Sequence, residues 1–313
     1  MSYRFQLDES LAGGVPRVAC EQVDRAIAEL TDHDLDTTEA IHQVRKRCKK
    51  IRGLLRLVRN SFAASYQQEN VWFRDLARRL SGARDSEAML ECFDKLLDAF
   101  SKELDADAFA PVRRALAEQR TVVHEEEDVS ELVRETAAEL QQARLRALGW
   151  RLDTSGFAVI EDGLLRTYRR GRKALRIAYE TPTAENFHEW RKRVKYHWYH
   201  LRLLRELWPA PMKPLAAEAK RLADLLGDDH DLAVLRETLV RDADTFGSAS
   251  RIEALRALGK RRQDQLRTES KPLGWRLFAE KPGDFGRRMQ RYWRAAEYDV
   301  ARIAGLPEDG GKC

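Results

Sequence analysis

Two segments of the chain carry Arg, Lys and His at spacings that favour binding of an anion. Between positions 42 and 59, eight residues are Arg or Lys and none is acidic. Residues three, four and seven apart share one face of a helix, so this segment presents a continuous basic stripe. Arg offers paired donors to phosphate oxygens, and Lys offers a mobile point charge. The first stripe consists of His42, Arg45, Lys46, Lys49, Arg52 and Arg56, with Lys50 beside it.

The same pattern recurs 146 residues later in the chain. Segment 41–59 aligns without a gap with 187–205, and the matched positions are charged as well as apolar. The same offset pairs Asp85 with Asp231. One offset over this span indicates a duplicated unit, and duplicated charge predicts two walls of one site related by a pseudo-twofold axis. The second stripe consists of His188, Arg191, Lys192, Lys195, Tyr199 and Arg202, and an acid-free segment upstream adds Arg166, Arg169 and Lys173.

The stripes carry more like charge than a helix tolerates without a partner. Like charges four residues apart destabilise a helix by a few tenths of a kcal/mol per pair, which amounts to roughly 1–2 kcal/mol in each stripe. Elsewhere the chain interleaves acidic residues with basic ones, as in 125–139. The alternative interpretation is a solvated basic face, but the duplication and the lack of acids favour an anion that supplies the missing charge.

The elements that must position these residues are predicted to be helices, because apolar residues recur at helical spacing almost throughout. No sustained alternation with a period of two indicates a strand, so the predicted class is all-α. In the first stripe helix the predicted buried face is Ile41, Val44, Cys48, Ile51, Leu55 and Val58. Helices are predicted at about 16–30, 39–65, 69–80, 85–104, one or two up to 148, and then 157–179, 183–207, 215–226, 231–246, 250–269 and 284–304.

Local signals predict the helix ends. Thr37 or Thr38 is a candidate N-cap for the first stripe helix, and the segment 181–183 breaks one helix and caps the next. Asp85 and Asp231 are predicted as further N-caps. The clearest linker lies at 149–156. A proline-punctuated loop is predicted at Pro209, Pro211 and Pro214.

Composition restricts the class of protein further. The chain has 313 residues, of which 43% are hydrophobic, and a net charge of +5. The four cysteines form no CxxC pair and no zinc spacing with histidines, so reduced thiols and no metal or cofactor are expected. No apolar run approaches the ~20 residues that span a bilayer, and the N-terminus lacks the apolar core of a signal peptide. We therefore expect a cytoplasmic protein without a membrane partner.

Taken together, these motifs resemble those of the CHAD family, the conserved histidine α-helical domains. The resemblance rests on His42-x-x-Arg45-x-x-x-Lys49, its repeat at 188–195, the segments 80–85 and 226–231, and Tyr168-Arg-Arg-Gly-Arg172. The chain departs from the family pattern at Tyr196 and Trp198, where basic residues are usual.

The resemblance implies a fold and a function. The fold is two tandem, pseudo-twofold-related four-helix bundles with long helices around a central basic pore. It forms a single domain over 6–305, built from repeats at 15–150 and 156–305, with a disordered tail at 306–313. The function is non-enzymatic binding of inorganic polyphosphate, with targeting to polyphosphate granules in the cytoplasm. The residues of the two stripes, with Lys50 and the upstream additions, are then the polyphosphate contacts.

Two other functions remain open at this point. The same stripes could bind nucleic acid, or the protein could be an enzyme that processes polyphosphate or triphosphate. The second alternative needs acidic residues that hold Mg²⁺ near the phosphates, and the stripes lack them. The segment 228–231 (Asp-Asp-His-Asp) resembles part of a metal-dependent phosphohydrolase site, but the first repeat has no histidine there. The sequence makes no prediction of oligomeric state.

Overall fold

The chain is built from α-helices, as the hydrophobic periodicity predicts. A computed structural model describes residues 3–80, 82–104, 106–121, 126–246 and 248–303, and no β-strand occurs in these ranges. None of the helices in them combines the length and apolar character needed to cross a membrane. The helices are α1 (Leu11–Thr31), α2 (Thr37–Leu57), α3 (Ala63–Arg79), α4 (Gly82–Ala99), α5 (Ala110–Thr121), α6 (Glu126–Leu148), α7 (Ala158–Glu180), α8 (Ala184–Leu203), α9 (Pro209–Arg241), α10 (Ala243–Phe246), α11 (Ala249–Leu277) and α12 (Pro282–Ile303).

The two stripe helices begin at side-chain caps. The Thr183 hydroxyl accepts from the backbone N–H of Asn186 at the start of α8, which confirms the predicted cap. At the start of α2 the cap is Asp36, whose carboxylate accepts from the N–H groups of Thr38 and Glu39. The prediction of Thr37 or Thr38 was therefore wrong by one or two residues, because the carboxylate satisfies two free N–H groups where a hydroxyl satisfies one.

Several predicted boundaries were wrong. Helix α1 begins at Leu11 rather than at about 16, so Pro16 lies inside it, and α11 ends at Leu277 rather than at about 269. The predicted helix 39–65 is two helices, since α2 ends at Leu57 and α3 begins at Ala63. The predicted proline loop is the start of α9, a single helix of 33 residues. Pro209 and Pro211 lie in its first turn, where the backbone N–H groups have no partner within the helix, and Pro214 lies inside it. The predicted helices 215–226 and 231–246 are mostly this one helix.

The continuity of α9 also removes one predicted cap. Asp231 lies in the middle of α9 and therefore does not cap a helix. Asp85 lies within α4, three residues after its first residue, and its side chain is outside the described part of the structure. The predicted tail at 306–313 likewise falls outside the described residues.

Helices from both halves share the apolar core. The predicted apolar face of α2 is buried, with every one of its six residues at most 1% exposed. The larger apolar cluster joins α1, α2, α3 and α6 to α7, α8, α12 and the first part of α9. A smaller cluster joins α4 and α5 to the later part of α9, α10 and α11. Neither half of the chain therefore buries its apolar surface alone.

The order of helix packing is the same in both halves. Helix α1 packs on α2 and α6, and correspondingly α7 packs on α8 and α12. Helix α8 begins one residue after the position that lies 146 residues beyond the start of α2, and the two ends correspond without a shift. The pseudo-twofold axis and the division into two four-helix bundles stay predictions, and this packing order is what supports them.

Candidate functional site

Four helices surround a cavity of about 880 Å³. Helix α2 contacts α8, α8 contacts α9, α9 contacts α4, and α4 contacts α2, so the four form a ring, to which α11 adds two side chains. The α2 and α8 part of the lining, which we call the basic wall, consists of His42, Arg45, Lys46, Lys49 and Lys50 with Arg191, Lys195, Trp198, Tyr199 and Arg202. The structure thus brings nine of the sixteen predicted contact residues to one cavity.

The two stripe helices meet most closely at Gly53 and Tyr199. A Cβ atom on Gly53 would lie 2.9 Å from Cδ2 of Tyr199, so only glycine fits at this approach. The buried ring of His200 adds a hydrogen bond, with Nε2 lying 3.1 Å from the carbonyl oxygen of Gly53. Tyr199 lies 146 residues after Gly53, so equivalent positions of the two repeats face each other. This crossing closes one side of the cavity, and Tyr199 contributes there as a buried side chain.

Two lysines of the basic wall lose part of their charge in the absence of a ligand. Burial lowers the pKa of Lys50 to about 7, and the nearby Arg47 and Arg202 lower it further. Burial also lowers the pKa of Lys195 to about 8, with Arg191 acting in the same direction and Asp224 and Asp231 opposing it. An anion in the cavity would raise both pKa values again, because it stabilises the charged form of each ammonium group.

Acidic residues of α4 and α9 line the same cavity as the basic wall, and sequence reasoning did not place them there. They are Glu91 and Asp98 of α4 and Asp224, Asp228 and Asp231 of α9. The described lining contains ten Arg or Lys side chains against these five acids, a formal excess of five positive charges. The matched pair Asp85 and Asp231 was the available signal, but it was interpreted as a pair of helix caps.

The acids on α9 have distinct surroundings. Asp228 interacts with Lys95 at 3.6 Å, while burial and the neighbouring Asp231 raise the pKa of its carboxyl group. Asp229 points away into the core and pairs with Arg267 at 2.7 Å. Within the described ranges, no three His, Cys, Asp or Glu side chains come together as a metal site. The Asp-Asp-His-Asp segment is therefore divided between the cavity and the core.

Histidines occupy both the cavity and the core. His42 lines the cavity. His188 lies beside it and packs against His230, which sequence reasoning did not select, with the ring centroids 4.1 Å apart. Burial lowers the pKa of each of these two imidazoles to about 4, and neighbouring cations act in the same direction. His197 and His200 are core residues, and His197 packs against Tyr168.

Seven predicted contacts do not line the cavity. His188 packs against His230, and His230 lines the cavity. Arg52 and Arg56 donate to the side-chain oxygen of Asn70, at 3.4 and 2.6 Å. Lys192 pairs with Glu189. Arg56 and Arg166 line a smaller cleft on the far side of the helix crossing, and Arg169 and Lys173 line a third groove next to Trp275. A stripe that is continuous on one helix is thus interrupted by the neighbouring helix.

Comparison with known proteins identifies the family. The pattern that defines the CHAD domain matches residues 18–240, which include both stripe helices and nearly all of α9. The chain belongs to the CHAD family. The resemblance seen in the sequence is therefore confirmed. In this CHAD chain the family pattern covers the whole basic wall and the acidic residues that line the same cavity.

Two curated relatives resemble this CHAD chain over most of its length. They are "Uncharacterized protein MT2285" of Mycobacterium tuberculosis strain CDC 1551 / Oshkosh and "Uncharacterized protein Rv2226" of strain ATCC 25618 / H37Rv. Each is 28% identical over 294 residues, and the alignment covers 82% of this chain and 54% of the relative. The chain thus spans about half the length of the curated relatives that it matches.

Proposed function

We propose that the cavity binds inorganic polyphosphate and does not act on it chemically. The observation that carries this proposal is the convergence of both basic stripes on one cavity with five excess positive charges. Membership in the CHAD family supports an association with polyphosphate. The proposed contacts are the basic-wall residues with His188, and the predicted contacts in the neighbouring clefts are left out of them.

Charge complementarity explains why a polyanion suits this site. The basic wall leaves the lysines at 50 and 195 partly discharged, because burial disfavours their charged forms and neighbouring cations repel them. Each phosphate of a polyphosphate chain carries charge at a regular spacing, so a chain along the wall contacts several cations in turn. The acids on α4 and α9 favour a chain that lies against the cations of α2 and α8.

The test compares the polyphosphate affinity of a variant with a charge-reversed cavity with that of a matched control. We expect Lys49→Glu/Lys195→Glu to weaken polyphosphate binding by at least 100-fold, since both residues line the cavity. The matched control is Lys213→Glu/Lys260→Glu, which makes the same change in net charge at two exposed positions. Equal affinity in the two double variants would reject the site.

Competition with RNA and DNA distinguishes polyphosphate binding from the first alternative function, nucleic-acid binding. A polyphosphate site predicts that RNA and DNA of matched charge compete only weakly with polyphosphate for the cavity. By analogy with nucleic-acid binding, six to ten phosphate contacts predict that affinity falls by about 10³-fold or more between 50 and 200 mM salt. Comparable affinity for single-stranded RNA and polyphosphate would instead favour the nucleic-acid function.

The acidic residues in the cavity are the observation that bears on the alternative of an enzyme acting on polyphosphate or triphosphate. Carboxylates of Asp224, Asp228 and Asp231 line the same cavity as the basic wall. Phosphoryl-transfer sites use carboxylates to hold Mg²⁺, but no three acidic or imidazole side chains in the described ranges cluster as a metal site. Release of orthophosphate from polyphosphate or triphosphate with added Mg²⁺, lost in Asp228→Asn, would establish that alternative.

A cytoplasmic location with recruitment to polyphosphate granules belongs to the binding proposal. A fluorescent fusion, expressed in cells that accumulate polyphosphate, tests it.

A further inference from the structure

A second basic site lies on the far side of the crossing of α2 and α8. It is a cleft of about 210 Å³, which we call the arginine cleft. No acidic residue lines it in the part of the chain that the structure describes, and it shares no lining residue with the main cavity. Its lining consists of Arg56, Arg59, Arg166, Arg170 and Arg193 with Tyr66, Gln67, Thr167 and Tyr196.

Aromatic rings hold two of these arginines in place. The guanidinium of Arg56 lies 4.1 Å from the centre of the Tyr196 ring and also donates to Asn70 at 2.6 Å. The guanidinium of Arg59 lies 4.8 Å from the centre of the Tyr66 ring. Because a stacked guanidinium keeps its edge donors available, both groups are ready to bind an oxyanion without losing much conformational freedom.

The positive charge in the cleft is mostly uncompensated. Arg193 pairs with Glu189 at 2.9 Å, but that carboxylate also pairs with Lys192. Among the described residues, no carboxylate forms an ion pair with the other four arginines of the cleft. Although the Arg170 side chain reaches solvent, partial desolvation lowers its pKa, the charges of Arg193 and Arg166 lower it further, and the charge of Glu189 opposes them. The cleft therefore holds several guanidinium groups that repel one another.

The size of the cleft restricts the ligand. A water molecule occupies about 30 Å³ in the liquid, so the cleft has room for about seven waters. This volume is below the ~300–1,000 Å³ of pockets that hold drug-sized ligands, which excludes a nucleotide held whole. Arginine forks match phosphate oxygens in paired geometry. We propose that the arginine cleft binds a short free phosphate anion, orthophosphate or pyrophosphate, independently of the main cavity.

This second site also accounts for two predicted contacts that the main cavity leaves out. Arg56 and Arg166 belong to the predicted polyphosphate residues, but the crossing at Gly53 separates them from the basic wall. In the arginine cleft both side chains line the same space. The departure from the family pattern at Tyr196 has a physical reason here, because the tyrosine ring supports Arg56 where a lysine would repel it.

Calorimetric titration with pyrophosphate and orthophosphate at low ionic strength tests the proposal. The variant is Arg166→Gln/Arg170→Gln, since both side chains are exposed and form no ion pair with a described carboxylate, so the fold should be retained. The matched control is Arg172→Gln/Arg176→Gln, which removes two exposed charges from the same helix outside the cleft. Circular dichroism verifies that both variants fold.

We expect a saturable pyrophosphate site, separate from any binding in the main cavity, that weakens at least tenfold in Arg166→Gln/Arg170→Gln and stays within twofold of wild type in the control. The same site should persist in Lys49→Gln/Lys195→Gln, in which the main cavity is altered. Loss of pyrophosphate binding in that cavity variant would overturn the proposal, because the ligand would then occupy the main cavity. An equal loss in the control would also overturn it and indicate binding by net charge alone.

Discussion

Binding of a polyanion should be coupled to uptake of protons by Lys50 and Lys195. Without ligand, the pKa values of these lysines are about 7 and about 8, against an ordinary 10.5. A bound anion stabilises the ammonium form and moves both pKa values back towards the ordinary one. The bound state therefore holds more protons than the free state between about pH 6 and pH 10.

The magnitude follows from the protonated fractions. At pH 8 the free protein has about 10% of Lys50 and about half of Lys195 charged, and both are almost fully charged if the ordinary pKa is restored. Binding then takes up about 1.4 protons, of which about 0.9 come from Lys50. At pH 6 both lysines are already charged, so their contribution falls to about 0.1 proton. Affinity should fall about 25-fold for a unit rise in pH near 8.

Calorimetric titration in buffers of different ionisation enthalpy measures this uptake directly. The informative variant is Lys50→Arg, because an arginine stays charged at every pH of the experiment and keeps the positive charge in the cavity. We expect uptake at pH 8 to fall from about 1.4 to about 0.5 protons. Proton exchange by the ligand itself is the same in both proteins and cancels in the difference.

The result that would refute this reasoning is equal proton uptake by wild type and Lys50→Arg at pH 8. It would mean that Lys50 is fully charged in the free protein or does not sense the anion. Lys213→Arg provides a control for the substitution itself, because this lysine is exposed on α9 and outside the cavity.

Three further predictions concern the imidazole pair, a helix contact and a buried charge. The pKa of the His230 imidazole is about 4, so a bound anion favours its protonation and polyanion affinity should rise from pH 6 to pH 4. His230→Gln should remove part of this rise, and binding titrations at both pH values measure it. Gly163→Ala should destabilise the protein by about 2 kcal/mol in thermal unfolding, because the added carbon overlaps a backbone oxygen of α2, whereas Gly13→Ala, which meets no atom within 3.5 Å, should not. Arg267→Met should cost about 3–5 kcal/mol in urea unfolding, since it leaves Asp229 charged and 1% exposed, and adding Asp229→Asn should recover part of the loss; equal stability of the single and double variants would contradict this.

The sequence predicts the stripe helices well because their signals are local. The apolar face of α2 recurs at helical spacing, and the cap of α8 is a single hydroxyl beside the first turn. Helix α9 was harder to predict, since three prolines near its start are typical of a loop. Pro209 and Pro211 are tolerated because they fall in the first turn, where the backbone N–H groups have no acceptor within the helix.

The composition of the site depends on contacts that no local pattern reveals. The acids Asp224 and Asp228 lie on a helix that the sequence divides at 226–231, and only the continuous α9 places both in the cavity. Arg56 shares a helical face with Lys49, yet the crossing at Gly53 separates the two. Helical spacing predicts which residues share a face of one helix, but the packing of the neighbouring helices determines which part of that face lines the cavity.

The contact between Gly53 and Tyr199 joins two positions that the 146-residue offset matches, and two identical subunits could not form it. Two identical subunits that met at this position would present either two glycines, which leave a void, or two tyrosines, which collide. A single chain can place a small residue in one copy and a large one in the other, and the ring of Tyr199 then fills the space that Gly53 leaves. The two segments that the 146-residue offset matches are therefore complementary at this position and cannot be exchanged for each other.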